Sequence, residues 1–196
     1  MIEKCISIFG LIFVTSYVAK YIGPTNFGKI ALAATLFGFV QTLTWFGNQE
    51  ILFKRVSKNP NSGLKYLLGT QGLRRGLFVL FSLPILIALY LYSDYLTVIF
   101  AIATAFASYY ITQDIYSIYN NAVLNSYINA IVNMIGLGVS LLIRYLIVLF
   151  ELNYAFLALP IVLTVLIPFL LKKFIFNKSQ KVQLISFKNY RKYYFG

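Results

Sequence analysis

Histidine is absent from this chain and cysteine occurs once, at Cys5. Without histidine there is no imidazole ligand for zinc, no Ser-His or Cys-His catalytic pair and no imidazole proton switch. A lone cysteine excludes an intrachain disulfide and a cysteine-built metal site. Acid is scarce as well: five Asp plus Glu stand against 17 Lys plus Arg, a net charge of +12. Charge of either sign makes up only 11% of the residues, while 60% are hydrophobic. A soluble domain of this length needs more charge than that on its surface. The surroundings are therefore expected to be lipid, and the fold an all-α polytopic membrane bundle without nucleic-acid partners.

A bilayer core about 30 Å thick takes about 20 apolar residues in a helix. Six such runs can be read: Cys5 to Ala19, Ile30 to Gln49, the run after Arg74 and Arg75 up to Ser93, Tyr95 to Gln113, Ile128 to Phe150 and Leu152 to Leu171. Between the first two lies KYIGPTNFGK. Gly23 can take positive φ, Pro24 cannot continue a helix, and Thr25 or Asn26 can cap the next one, so the stretch predicts a hairpin loop. Residues 1–176 are expected to form the six-span bundle and 177–196 a basic cytoplasmic tail. Ser57 to Leu68 reads as a loop with a short surface helix.

Basic residues set the sidedness. Lys4, the group from Lys54 to Arg75 and the tail from Lys172 onwards put fourteen on one side, against Lys20 and Lys29 on the other. The positive-inside bias makes the first side cytoplasmic, with both termini there.

Polar residues recur inside the spans. Asn121, Asn125, Asn129, Asn133, Gly136, Ser140 and Arg144 keep within about 140° on one helix face. Tyr109, Gln113, Tyr116 and Asn120 make a second stripe, and Thr35, Gly38, Thr42, Trp45 and Gln49 a third. Two readings stay open: small and amide residues glue helices together, or the stripes line a wet cavity. For the cavity the candidate binding residues are Arg144, Asn129, Asn133, Ser140, Tyr109, Gln113, Tyr116, Trp45 and Gln49. Aromatic faces suit sugar rings, amides suit hydroxyls and Arg144 suits a phosphate. Asp114 and Glu50 are candidate counter-charges for Arg144, at a depth that does not match it.

The segment YVAKYIGPTNFGKIALAATLFGFVQTLTWFGNQEILFKRVSK resembles the amino-terminal signature of bacterial polysaccharide flippases of the O-antigen type (Wzx), within the multidrug/oligosaccharidyl-lipid/polysaccharide exporter superfamily. The resemblance rests on an aromatic-[LI]-Gly-Pro-x-x-[FY]-Gly turn at Tyr21, Ile22, Gly23, Pro24, Phe27 and Gly28. It implies one lobe of a two-lobe transporter in the bacterial inner membrane, and so a truncated or partial chain. It also implies translocation of undecaprenyl-diphosphate-linked oligosaccharide for polysaccharide and lipopolysaccharide biosynthesis. No enzymatic activity and no cofactor beyond coupling to an ion gradient are expected. The implied partners are lipid-linked oligosaccharide, membrane lipid and other polysaccharide assembly proteins. A membrane-embedded glycan polymerase or acyltransferase, and a non-transporting assembly protein, remain open alternatives.

Overall fold

The computed structural model describes the backbone of residues 2–194 and the side chains of 8–178, apart from residues 9, 11 and 61. Among the described residues the chain is all-α, without strands. The helices are α1 (Ile2–Trp45), α2 (Asn48–Lys58), α3 (Pro60–Gly69), α4 (Gln71–Tyr92), α5 (Tyr95–Gln113), α6 (Ile115–Ala122), α7 (Ser126–Leu149) and α8 (Ala158–Tyr194), with a 3-10 turn at Tyr154–Leu157. Among the described residues, five helical segments are long and apolar enough to cross a membrane: Ile12–Trp45, Ser62–Tyr92, Tyr95–Ala122, Ser126–Leu149 and Tyr154–Lys178. The protein is a multi-pass membrane bundle.

The first two expected spans are fused in α1, and no loop separates them. Helical structure is interrupted only at Gly23, whose φ of 76° and ψ of 165° lie where side-chain-bearing residues are strongly strained. Contacts on either side show that the chain reverses there. Before the break, Tyr17 stacks on Tyr145 at 5.9 Å and the Tyr21 hydroxyl donates to Leu152 O at 2.8 Å, so the first arm climbs alongside α7. After it, Lys29 pairs with Asp94 just past the last turn of α4, while Trp45 lies against Arg74 in the first turn of α4. As α4 has 22 residues, or ~33 Å, the second arm runs its whole length in the opposite sense. Asn26 does not cap the second arm. Its amide donates back to Ile22 O at 3.0 Å and so satisfies a carbonyl freed at the end of the first arm. Pro24 opens the second arm, where the missing N–H costs nothing.

No atom lies within 4 Å of a Cβ built on Gly23, so only the backbone resists substitution. Gly23→Ala should therefore lower stability by about 1–3 kcal/mol, whereas Gly28→Ala, inside the helix and also unobstructed, should not. Unfolding midpoints of the two variants check this.

The reversal gives the bundle two distinct ends. At the turn end lie Gly23, Asp94 and the segment from Phe150 to Tyr154. At the basic end lie Trp45, α2, α3, the junction of α5 with α6, and Lys172. Where a loop with a short helix was expected after Ser57, the short helix is α3, and it forms a hairpin with α2 folded at Asn59, whose Oδ1 accepts from Ser62 N at 3.2 Å. Gly63 makes the hairpin tight: a Cβ there would stand 2.5 Å from Val56 Cα. Arg55 over the Tyr66 ring, 4.3 Å to the centroid, ties the two helices on the outside. The backbone of α8 runs on helically to Tyr194. The side chains of most of the expected basic tail lie outside the described residues.

The main core, around Val18, Ala33, Phe37, Phe100, Ala101 and Ile147, sits between α1, α4, α5 and α7. Exposed Phe, Leu and Ile are spread over the remaining helix faces, as lipid contact requires. At the turn end, Lys29 Nζ lies 2.8 Å from Asp94 Oδ2 and holds that carboxyl below the usual carboxylate range. A depressed carboxyl contributes stability above its unfolded pKa and loses it as pH falls through the folded one. The tie between α1 and α4 is accordingly intact at neutral pH and is lost only in acid, below the ordinary Asp range. In Asp94→Asn the acid limb of a pH–stability profile should flatten.

Candidate functional site

Asp114 sits where α5 ends and α6 begins, and its φ of −76° and ψ of 79° break the helix. Its Oδ1 accepts from Ser117 N at 3.1 Å and caps α6. Its Oδ2 accepts from Ser117 Oγ at 2.6 Å and from Lys172 Nζ at 3.0 Å. Lys172 Nζ also donates to Ser117 Oγ at 2.7 Å. The Lys172 side chain is only 4% exposed and that of Asp114 16%, so this ion pair is enclosed within the basic end. Pro168, one turn earlier in α8, removes a backbone hydrogen bond just where α8 must deliver the lysine.

Next to this latch lies an amide clasp. Asn129, in the first turn of α7, accepts from Asn120 Nδ2 at 3.0 Å. It donates to Asn121 Oδ1 at 2.8 Å and to Ser117 O at 2.9 Å. A single side chain thus ties α7 to the whole of α6. Both helix breaks, at Asp114 and at Leu124 with its positive φ of 62°, are held by polar side chains.

The third feature is Arg74. Although it lies in the first turn of α4 among exposed cations, it is 2% exposed, with its guanidinium over the Trp45 ring at 4.6 Å. Phe78 meets Tyr109 edge-on at 5.5 Å, so Arg74 and Gln113, each about one helical turn nearer the basic end, lie at one level of the packed α4 and α5.

The candidate residues part company in this arrangement. Trp45 and Tyr116 share the second core cluster, and Tyr116 packs on Phe169 and Phe176 at 5.7 and 5.3 Å. Gln113 is buried and Asn129 lies in the clasp. Tyr109 packs against Phe78 and Tyr110. Ser140 is a packing residue: its Oγ donates to Pro160 O at 3.0 Å and accepts from Thr164 Oγ1 at 2.6 Å. Gln49 and Asn133 are exposed and join no cluster. Arg144 is half-buried towards the turn end and makes no ion pair among the described residues. Its candidate partners are elsewhere, since Asp114 is engaged by Lys172 at the opposite end and Glu50 is exposed.

The longest polar stripe is therefore mainly a helix seam. Gly136 and Ser140 face Pro168, Thr164 and Pro160 of α8, and Asn129 faces α6. In the third stripe Thr35 and Thr42 donate to Ala31 O and Gly38 O of their own helix. A groove between α5 and α8, lined by Ile99, Ile102, Phe106, Leu159 and other apolar residues, includes none of the nine candidates. In the signature turn, Tyr21 packs edge-on to Tyr154 at 5.2 Å and Phe27 against the core, while Pro24 and Gly28 are exposed.

Sequence reading missed Lys172, Ser117 and Arg74 as site residues. Lys172 closed an apolar run and Arg74 opened one, so both counted as flanking cations. The available signal was the shortage of acid: with five carboxylates in the chain, one inside an apolar stretch calls for a partner. No protein-family model, curated protein or solved structure matches this chain.

Proposed function

We propose that the chain is a membrane-transport lobe that takes part in carrying lipid-linked oligosaccharide, of the undecaprenyl-diphosphate class, across the bacterial inner membrane. The observation that carries the transport reading is the break at Asp114. A crossing is interrupted between α5 and α6, and the carboxylate at the break is locked to Lys172 of another crossing. Discontinuous helices and enclosed charge pairs are expensive in a bilayer and serve transporters as sites where ions or substrates bias the packing. A cation that took the place of Lys172 on Asp114 would release Lys172 and loosen α8 from α6 near Pro168. Such a displacement would couple the packing to an ion gradient.

The cargo class comes from the resemblance at Tyr21 to Gly28, and the folded reversal at Gly23 and Pro24 supports it. The basic end faces the cytoplasm in this reading, in keeping with the charge bias. Inactivating the intact gene in its host should make lipid-linked repeat units accumulate, as measured by mass spectrometry of extracted lipid. The wild-type gene should clear them and the Lys172→Met form should not. Unchanged lipid-linked glycan after inactivation would refute the cargo assignment.

A further inference from the structure

We propose that Arg74, Gln113 and Trp45 form a binding site for one phosphate group that carries a neighbouring hydroxyl, at the basic end of the bundle. Arg74 Nη2 donates to Leu67 O at 3.2 Å, but Nε and Nη1 have no partner among the described residues. Both amide atoms of Gln113, itself 3% exposed, are likewise unpartnered. Four orphaned polar atoms on two enclosed side chains at one level of α4 and α5 are far from the near-complete pairing of ordinary interiors.

The charge sharpens the requirement. A guanidinium shielded from water and without a counter-ion costs several kcal/mol, and the Trp45 ring offsets only part of that. The chain has no described carboxylate to spare. Asp114 holds Lys172, Asp94 holds Lys29 at the other end, and Glu50 and Glu151 are exposed. None of these described carboxylates pairs with Arg74, and a bound anion would supply the counter-charge.

Phosphate fits the donors and the place. Guanidinium N–H groups make charge-assisted bonds to phosphate oxygens, and Gln113 Nε2 can add one more. Gln113 Oε1 is an acceptor and asks for a donor, which a hydroxyl beside the phosphate supplies. Water would satisfy the amide but leave the charge uncompensated. Exposed Lys54, Arg55, Lys58, Lys65 and Arg75 surround this end and draw anions to it. Leu52, Val56, Leu67 and Ile115 pack with Trp45 in one apolar cluster. A phosphatidylglycerol-type headgroup and a soluble phosphate ester share this chemistry. The assignment does not depend on transport.

Trp45 is the only tryptophan in the chain, so its fluorescence reports on Arg74 without labelling. The full chain, purified in neutral detergent without phosphate buffer, is titrated with phosphatidylglycerol, glycerol 3-phosphate and, as an uncharged control, diacylglycerol. The expected result is a saturable change in Trp45 emission with a phosphate-bearing ligand and none with diacylglycerol. Binding should be at least about tenfold weaker in Gln113→Leu and in Arg74→Lys. Saturation by phosphatidylglycerol alone assigns the site to a lipid headgroup, and saturation by glycerol 3-phosphate to a soluble ester. No response to either phosphate, an equal response to diacylglycerol, or unchanged binding in both folded variants overturns the site. If the variants do not fold, the contrast between the phosphate ligands and diacylglycerol on the wild-type chain decides.

Discussion

Lys172→Met should destabilise the bundle by about 3–5 kcal/mol, because it leaves the Asp114 carboxylate enclosed with Ser117 as its only remaining side-chain partner. The loss follows from the unpaired charge, so removing the second charge should reverse most of it. In Asp114→Asn/Lys172→Met the asparagine can still accept from Ser117 N and cap α6, and the methionine fills the lysine's apolar path. A double-mutant cycle on unfolding midpoints in detergent measures the coupling. Additive losses would show that the pair contributes little beyond packing. If the latch also couples an ion gradient, the stable double variant should fold and yet fail to clear lipid-linked glycan. Stability and transport are then separated in one protein.

The other large effect is expected at Gly136. A Cβ there would run into the Pro168 ring and stand 3.1 Å from Thr164 O, so even Gly136→Ala must push α7 away from α8. Overpacking of this kind costs about 1–3 kcal/mol, and a rigid proline ring gives way poorly. Gly138, two residues on, meets nothing within 4 Å, and Gly138→Ala should be neutral or mildly stabilising. The Ser140 and Thr164 hydroxyls are 2.6 Å apart, which supplies the readout. Cysteines placed at these two positions should be joined efficiently by a short thiol crosslinker. The yield should fall sharply with Gly136→Ala and persist with Gly138→Ala.

The extents of α5 and α7 are legible in the sequence because charge or turn residues bound each apolar run: Asp94 and Asp114 around α5, Asn125 and Glu151 near the ends of α7. Gly23 with Pro24 announced the reversal in α1, though one residue suffices where a loop was expected. The α2 and α3 hairpin was less visible, since Asn59-Pro60 marks a break without saying that helix continues on both sides.

Site residues were harder to read for a different reason. Periodicity fixes which face of a helix a residue occupies, but not which helix meets that face. The stripe through Gly136 and Ser140 therefore suited a cavity and a seam equally until α8 was seen against it. The stripe of Tyr109, Gln113, Tyr116 and Asn120 assumed a continuous helix, and the break at Asp114 divides it. Lys172 and Asp114 lie 58 residues apart in sequence, and no local pattern connects them. Arg74 carried the composition of a surface cation, and only the packing of Trp45 and Leu67 encloses it.

Translocation itself is the most direct test of the central claim. Inverted membrane vesicles, prepared from cells with the intact gene and from cells lacking it, present the cytoplasmic leaflet outwards. Lipid-linked oligosaccharide is supplied from outside and its exposure to an added glycosidase is followed over time. The expected result is progressive protection in vesicles from cells with the gene, abolished by Lys172→Met and absent without the gene. Equal exposure in both kinds of vesicle would contradict a role in carrying lipid-linked oligosaccharide.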